Sequence, residues 1–266
     1  MLTNLNVFEP SLEENTDDVA EPILQFRRSK QDERFILSPT PAQSFYLPIR
    51  RVLDFTLALA LTFLAIPVVM LAALAVRLSS RGPAFYTQVR TGKNGRTFTI
   101  YKIRSMLHNC ESLTGPRWTI PGDPRVTPIG WLLRRTHIDE LPQLLNVLIG
   151  QMSLIGPRPE RPEFVRELEQ TIPGYEDRHT VLPGITGLAQ VQLAPDSDIE
   201  SVRRKLLYDL HYVANMSLWL DLRILLATGL HMLGMSFETL QSLCIVPGHR
   251  SPLSALSYQP EQKQAA

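Results

Sequence analysis

The sequence predicts an α+β chain, mostly α, that is held at a membrane by one apolar helix and carries a short β-hairpin. Three observations predict this. Phe55–Val76 runs 22 residues without a charge. Soon after it, the β-prone runs Phe85-Tyr86-Thr87 and Thr97–Tyr101 flank the turn sequence Gly92-Lys93-Asn94-Gly95, which is the pattern of a hairpin. The rest of the chain carries short apolar periods of helical spacing, interrupted by many of its 21 prolines.

Taken in order, residues 1–47 read as a flexible acidic leader. Residues 1–26 carry six acids and no Lys or Arg, and prolines stand at 10, 22, 39 and 41. Residues 48–82 form the membrane element. A helix of this apolar length reaches roughly 33 Å, enough for a hydrocarbon core of about 30 Å. Pro67 lies inside the run and frees the carbonyl of Phe63. Arg50 and Arg51 precede the run, and Arg77 and Arg81 follow it. Positive flanks mark the cytoplasmic side. With positives at both ends, the segment is either a re-entrant hairpin on one face or a kinked spanning helix, and these features leave both open.

Residues 83–246 form the main domain. The hairpin spans Ala84–Ile103. Trp131–Leu133 and Leu141–Ile149 read as short helices separated by the polar stretch Arg134–Glu140. Ser153–Pro162 reads as a Gly/Pro-rich loop, Glu163–Gln170 as a short helix and Pro183–Gly187 as a turn. Ser197-Asp198-Ile199-Glu200 has the form of a capping box, opening a helix with Ile199, Val202, Leu206, Leu210 and Val213 on one face. Ser217–Met235 is apolar but broken by Asp221, Arg223 and His231, which suits a buried or interfacial amphipathic helix. Residues 247–266 read as a loose polar tail, and no internal repeat occurs.

Composition excludes several function classes. Among the 266 residues, 27 basic side chains balance 26 acidic ones, so no net positive charge supports general nucleic-acid binding. Beyond residue 26 the chain is nonetheless basic by a surplus of seven, which suits contact with anions or an anionic membrane. Cys110 and Cys244 stand far apart, so neither a disulfide scaffold nor a Cys-rich zinc site is expected. GxGxxG, Walker, HExxH and GxSxG motifs are absent, which removes the usual support for nucleotide-dependent redox chemistry and common hydrolases.

The chemistry-bearing residues concentrate in three places. Arg134-Arg135-Thr136-His137-Ile138-Asp139-Glu140 packs two guanidiniums, an imidazole and adjacent carboxylates into seven residues. Adjacent acids on a helix diverge and can hold two roles, one as nucleophile or base and the other as metal ligand. Such a pair is also commonly a surface salt bridge, and His137 is read as a hydrogen-bonding partner. Gly156-Pro157-Arg158-Pro159 mounts Arg158 between Pro157 and Pro159, which fix φ on either side, so one planar cation is presented for bidentate phosphate binding. Lys102 and Arg104 are spaced for one face of a strand, where they line an anionic site or edge the sheet.

These motifs together resemble the bacterial sugar transferase family, the small monotopic polyprenyl-phosphate phosphoglycosyl transferases that begin exopolysaccharide or glycan synthesis. The resemblance rests on Arg90-Thr91-Gly92, Gly95, Phe98 and Tyr101–Met106, then Ile138–Val147, Met152–Pro159 and Pro183–Gly187, in that order after one hydrophobic segment. It covers about Arg50 to Met235. The resemblance implies transfer of sugar 1-phosphate from a UDP-sugar to polyprenyl (undecaprenyl) phosphate with release of UMP. It implies Asp139 as the nucleophile of a covalent phosphosugar intermediate and Glu140 as a ligand of Mg²⁺. Arg134 and Arg158 would hold phosphates, with Lys102 and Arg104 beside them.

The resemblance also implies a re-entrant helix broken at proline, here Pro67, at the cytoplasmic face of the bacterial inner membrane. Ile66-Pro67 stands where the family has Ser-Pro, Thr62 offers a substitute hydroxyl, and His137 replaces a more usual Ser. The implied partners are a UDP-sugar, polyprenyl phosphate and inner-membrane lipid. Two rival functions are a membrane-anchored scaffold without catalysis and a metal-dependent phosphohydrolase using the same acids.

Overall fold

A computed structural model describes residues 40–242 except 113–114, 116, 118–119, 121 and 195–197. Most of the expected leader, the whole expected tail and Ser197 therefore lie outside the described residues. The described chain is mostly helical, with two sheets of two strands each and one long apolar helix.

Helix α1, Pro41–Ser79, starts in a capping box. The Gln43 amide donates to Thr40 Oγ1 at 3.2 Å, and the Thr40 amide donates back to Gln43 Oε1 at 2.9 Å. The helix thus begins ahead of the boundary expected at 48, because Thr40 and Pro41 are a cap and first-turn pair rather than loop residues. Pro67 stands inside α1 and not between two helices. The expected rescue by Thr62 is corrected: its hydroxyl donates to the Ala58 carbonyl at 2.7 Å, not to the carbonyl of Phe63. A back-bond of this kind beside a proline favours a bend. Among the described residues, α1 is the one helix long and apolar enough to cross a membrane by length and composition.

Both ends of α1 pack on the same body. Gln43, Arg50, Asp54, Ala58, Ala72, Ala73 and Val76 are buried, at intervals that return to one helix face. Phe63, Leu64, Met70, Leu71 and Leu74 point outward. Near its start, Asp54 accepts from Ser153 Oγ at 2.7 Å and from the Leu154 amide at 3.1 Å. Arg50 donates to Ser153 Oγ at 2.7 Å and to the Ile155 carbonyl, and it pairs with Asp221 at 3.2 Å. Arg50 is therefore not the free flanking charge expected from sequence: it is buried and neutralised inside the protein. Near the other end, Ala72 and Val76 pack with Ile103 and Leu133.

The hairpin forms as expected. Strands β1, Phe85–Thr91, and β2, Thr97–Ile103, pair antiparallel from Phe85 opposite Ile103 to Thr91 opposite Thr97. The turn uses left-handed backbone at Asn94 and Gly95. Helix α2, Pro128–Arg135, leads to a 3₁₀ helix, Ile138–Gln143, and then to α3, Leu144–Leu148. The polar stretch expected to separate two helices is thus largely helical itself.

Two expected loops contain strands. β3, Ser153–Ile155, pairs in parallel with β4, Gly184–Thr186. A Cβ at Gly184 would lie 2.1 Å from the Gly156 amide nitrogen, so glycine is what lets the two strands' ends meet. Helix α4 spans Pro162–Thr171, followed by a 3₁₀ helix, Tyr175–Thr180. Helix α5, Ile199–Asn215, is capped by Asp198, whose side chain accepts from the Ser201 amide at 2.7 Å. The cap is thus one residue later than the expected Ser197. Ile199 is exposed, and the buried face runs through Val202, Leu206, Asp209 and Val213.

Helix α6, Leu218–Met232, buries Leu220, Asp221, Ile224 and Ala227 and exposes Leu218, Trp219, Leu222 and Leu226, the amphipathic form expected. Helix α7, Phe237–Ser242, follows. The main core joins α3, β3 and the segment after β4 to α5 and α6 through Val147, Met152, Leu188, Tyr212 and Ile224.

Candidate active site

The adjacent acids sit on the 3₁₀ helix Ile138–Gln143, entered through His137 at φ 54°. A left-handed conformation at a residue other than glycine costs about 1 kcal/mol and recurs at functional sites. The turn it makes carries Asp139 and Glu140 under β2, and both are buried. Asn146 fixes this packing: its Nδ2 donates to the Thr99 carbonyl at 2.7 Å, and its Oδ1 accepts from the Tyr101 amide at 3.3 Å. A side-chain amide thus serves as the neighbouring strand that β2 lacks.

Three of the expected residues converge on one point. Lys102 Nζ lies 2.7 Å from Glu140 Oε1. Arg158 Nη1 donates to Glu140 Oε2 at 3.1 Å, and its Nη2 donates to Oε1, which is a bidentate pair. Burial alone would raise the Glu140 pKa, but Arg158 and Lys102 outweigh it and hold it well below the usual carboxylate range. The Arg158 guanidinium is correspondingly raised, by Glu140 first. Burial pulls the Lys102 ammonium below its ordinary value against the pull of Glu140.

Asp139 is in a different state. Among the described residues its carboxylate has no hydrogen bond or ion pair, although it is only 6% exposed. Burial pushes its pKa up, the Glu140 charge adds to this, and Lys102, Arg134 and Arg158 oppose it. Two neighbouring acids therefore divide into an ion-paired anion and an unengaged, more basic carboxylate with lone pairs available.

The other expected residues fall outside this cluster or at its edge. Arg134 donates from Nε to Ser105 Oγ at 2.8 Å and acts on Asp139 through its charge. Arg104 leaves the site: its guanidinium donates to the Arg81 carbonyl and to the Ser80 carbonyl at 3.0 Å. Arg104 follows the last strand residue, so it no longer shares a face with Lys102, and it fastens the end of α1 instead. Pro157 and Pro159 bracket Arg158 as expected, while Pro67 belongs to α1. Among the described residues no group of three or more His, Cys, Asp or Glu side chains is placed to hold a metal. Asp139 and Glu140 are hard oxygen donors of the kind Mg²⁺ takes in ones and twos alongside substrate phosphates. Both oxygens of Glu140 are already engaged by cations.

Sequence reasoning missed the layer behind Arg158. Arg178 and Asp209 pair at 2.7 Å, each about 2% exposed. Glu160 is held by Lys205 at 2.8 Å and Arg90 at 3.5 Å. One signal was available: Asp209 falls on the buried stripe of α5 between Leu206 and Val213, where an acid needs a partner.

A family model described as bacterial sugar transferase matches residues 45–235. A protein of Aeromonas hydrophila named UDP-N-acetylgalactosamine-undecaprenyl-phosphate N-acetylgalactosaminephosphotransferase is 44% identical over 72% of this chain and 44% of its own length. A Caulobacter vibrioides protein named UDP-glucose:undecaprenyl-phosphate glucose-1-phosphate transferase is 45% identical over 67% of both chains. The exopolysaccharide production protein PSS of Rhizobium leguminosarum bv. phaseoli is 39% identical over 68% of this chain and 94% of its own length. The chain thus spans less than half the length of the Aeromonas relative and most of the Rhizobium one.

Proposed function

The chain belongs to the bacterial sugar transferase family, and we propose that it moves a sugar 1-phosphate from a UDP-sugar to undecaprenyl phosphate and releases UMP. The reaction would be the first membrane step of exopolysaccharide or glycan synthesis. The observation that carries this reading is an unengaged buried carboxylate, Asp139, beside two cations, Lys102 and Arg158, that converge on its neighbour Glu140.

An Asp139 oxygen attacks the sugar-bearing phosphorus of the UDP-sugar. The bond from that phosphorus to the bridging oxygen breaks, and UMP leaves with the electron pair. A phosphate oxygen of undecaprenyl phosphate then attacks the same phosphorus and returns the Asp139 carboxylate. Attack of one anion on another needs fixed positive charge, which Arg158, Lys102 and Arg134 supply. Glu140 would hold Mg²⁺ by giving up a contact to Lys102 or Arg158, which occupy both its oxygens here, and the ion would supply further neutralisation of diphosphate charge.

The acceptor phosphate lies at a membrane surface, so the site must lie there too. We place the body on the cytoplasmic face of the inner membrane, with Phe55–Val76 entering and leaving on that face. Support comes from the two ends of α1: Arg50 and Asp54 bind β3, and Val76 packs on Ile103 and Leu133. A helix anchored at both ends to one body has no free end to place across a bilayer.

Chromatography of products from a panel of labelled UDP-sugars, with and without undecaprenyl phosphate, tests the reading. A lipid-linked labelled product that requires undecaprenyl phosphate is expected. Water-soluble sugar phosphate formed regardless of the lipid would make the protein a phosphohydrolase. No consumption of any UDP-sugar would make it a scaffold.

A further inference from the structure

The segment Gly156–Glu160 presents Arg158, and two of its five residues are prolines without an amide hydrogen. Its backbone is therefore mainly an acceptor, and four successive carbonyls are each held from outside. The Pro157 carbonyl accepts from the Gly184 amide at 3.0 Å, and that of Glu160 accepts from the Thr91 amide at 2.8 Å. The Pro159 carbonyl accepts from Arg90 Nη1 at 3.0 Å. The carbonyl of Arg158 itself accepts from Arg178 Nη2 at 2.9 Å.

Arg178 is the more deeply buried of the two side-chain donors, 2% exposed against 17% for Arg90. Its fork is fixed on every side: Nε and Nη2 donate to Asp209 Oδ2 at 3.0 and 2.7 Å, and Nη1 donates to the Tyr175 hydroxyl at 2.8 Å. The guanidinium also lies over the Tyr175 ring, 5.1 Å from its centroid. An ion pair this deeply buried contributes little net stability over apolar residues of the same volume, because desolvation offsets the attraction. What it does provide here is direction. Asp209, on the rigid face of α5, aims Arg178, and Arg178 sets the peptide plane from which the Arg158 side chain departs.

We infer that Arg178, aimed by Asp209 and Tyr175, is a positioning residue that holds the Arg158 backbone so that its guanidinium meets the diphosphate of the substrate. This rests on the reading of Arg158 as a diphosphate-binding group. Misplacement of such a group by about 1 Å is enough to lower a rate by about 10²-fold. The effect of losing Arg178 must therefore pass through Arg158.

The test is a double-mutant cycle on full-length protein in detergent, reading kcat/KM for UMP release with the UDP-sugar that the wild type turns over. Arg178→Lys keeps the charge opposite Asp209 but lacks the fork that also reaches the Arg158 carbonyl. The paired change Arg178→Met with Asp209→Leu removes both charges and keeps an apolar core, so it folds even if Arg178→Lys does not. Each is measured with Arg158 intact and in an Arg158→Ala background, alongside thermal unfolding. The expected loss is about tenfold or more with Arg158 present and less than about threefold without it, since coupled residues are non-additive. Equal losses in the two backgrounds, or no loss with Arg158 present, overturn the inference while leaving the functional reading intact. Wild-type activity in Arg158→Ala alone overturns the inference and the reading of Arg158 as a diphosphate-binding group.

Discussion

Replacing Glu140 with glutamine isolates what the charge cluster contributes. The change keeps the side chain's shape and removes the negative charge that Lys102 meets at 2.7 Å and Arg158 grips with two nitrogens. Removing one partner of a fully buried ion pair costs about 3–5 kcal/mol. The Arg158 side chain is a third exposed, and water recovers part of that loss, so about 2–3 kcal/mol is expected. For a folded unit of this size, that lowers the melting temperature by about 5–10 °C. Near-UV circular dichroism of the protein in detergent at pH 7 reads the shift. The pH dependence has a definite sign. Arg158 and Lys102 overcome burial and depress the Glu140 pKa from its ordinary 4.5, so the stabilisation is present above that value and is lost as pH falls below it. The gap between variant and wild type must therefore close in acid. A Glu140→Gln protein that melts with the wild type at pH 7, or a gap that persists unchanged at pH 3, would refute the assignment of Glu140 as the buried anion of the site.

Three further outcomes follow from the same geometry. Asp139→Asn should abolish turnover by several orders of magnitude yet melt at or above the wild-type temperature, because burial makes the ionised Asp139 a cost to the fold; a large drop in melting temperature would show that Asp139 is structural. Glu160→Gln should destabilise by about 3 kcal/mol at pH 7, since Lys205, Arg90 and Arg178 overcome burial and bring the Glu160 pKa from 4.5 to about 2. That contribution is present above about pH 4.5 and fades toward pH 2, so a pH-independent difference between the two proteins contradicts it. Cysteines at the exposed Phe45 and at Arg81, in a background lacking Cys110 and Cys244, should both resist a membrane-impermeant thiol reagent in intact cells and react after lysis; labelling of Phe45→Cys without lysis would show that α1 spans.

The sequence made the long elements legible because their periods are long. The charge-free run, the hairpin around Gly92–Gly95 and the helix under Val202 and Leu206 each repeat their signal several times. Strands β3 and β4 were not legible: three residues between glycines and prolines give no alternation, and their pairing is set by the close approach at Gly184. Within the site, Asp139, Glu140, Lys102 and Arg158 could be named from short motifs. Their division into a paired and an unengaged acid could not, because it depends on burial and on which acid faces Lys102. Arg104 does not share the face of Lys102 because strand alternation stops at Ile103, where β2 ends. Arg50, a basic residue before an apolar run, reads as a topological flank, whereas Asp221, far along the chain, claims its charge.

In the proposed mechanism Asp139 carries the sugar phosphate between donor and acceptor. Intact-mass spectrometry of the full-length protein, incubated with UDP-sugar and no undecaprenyl phosphate, tests it most directly. The expected result is a population heavier by one phosphosugar, located on the peptide that contains Asp139, discharged when undecaprenyl phosphate is added and absent from Asp139→Asn. Formation of the lipid-linked product by a protein that never carries the adduct, or by Asp139→Asn at the wild-type rate, would contradict it.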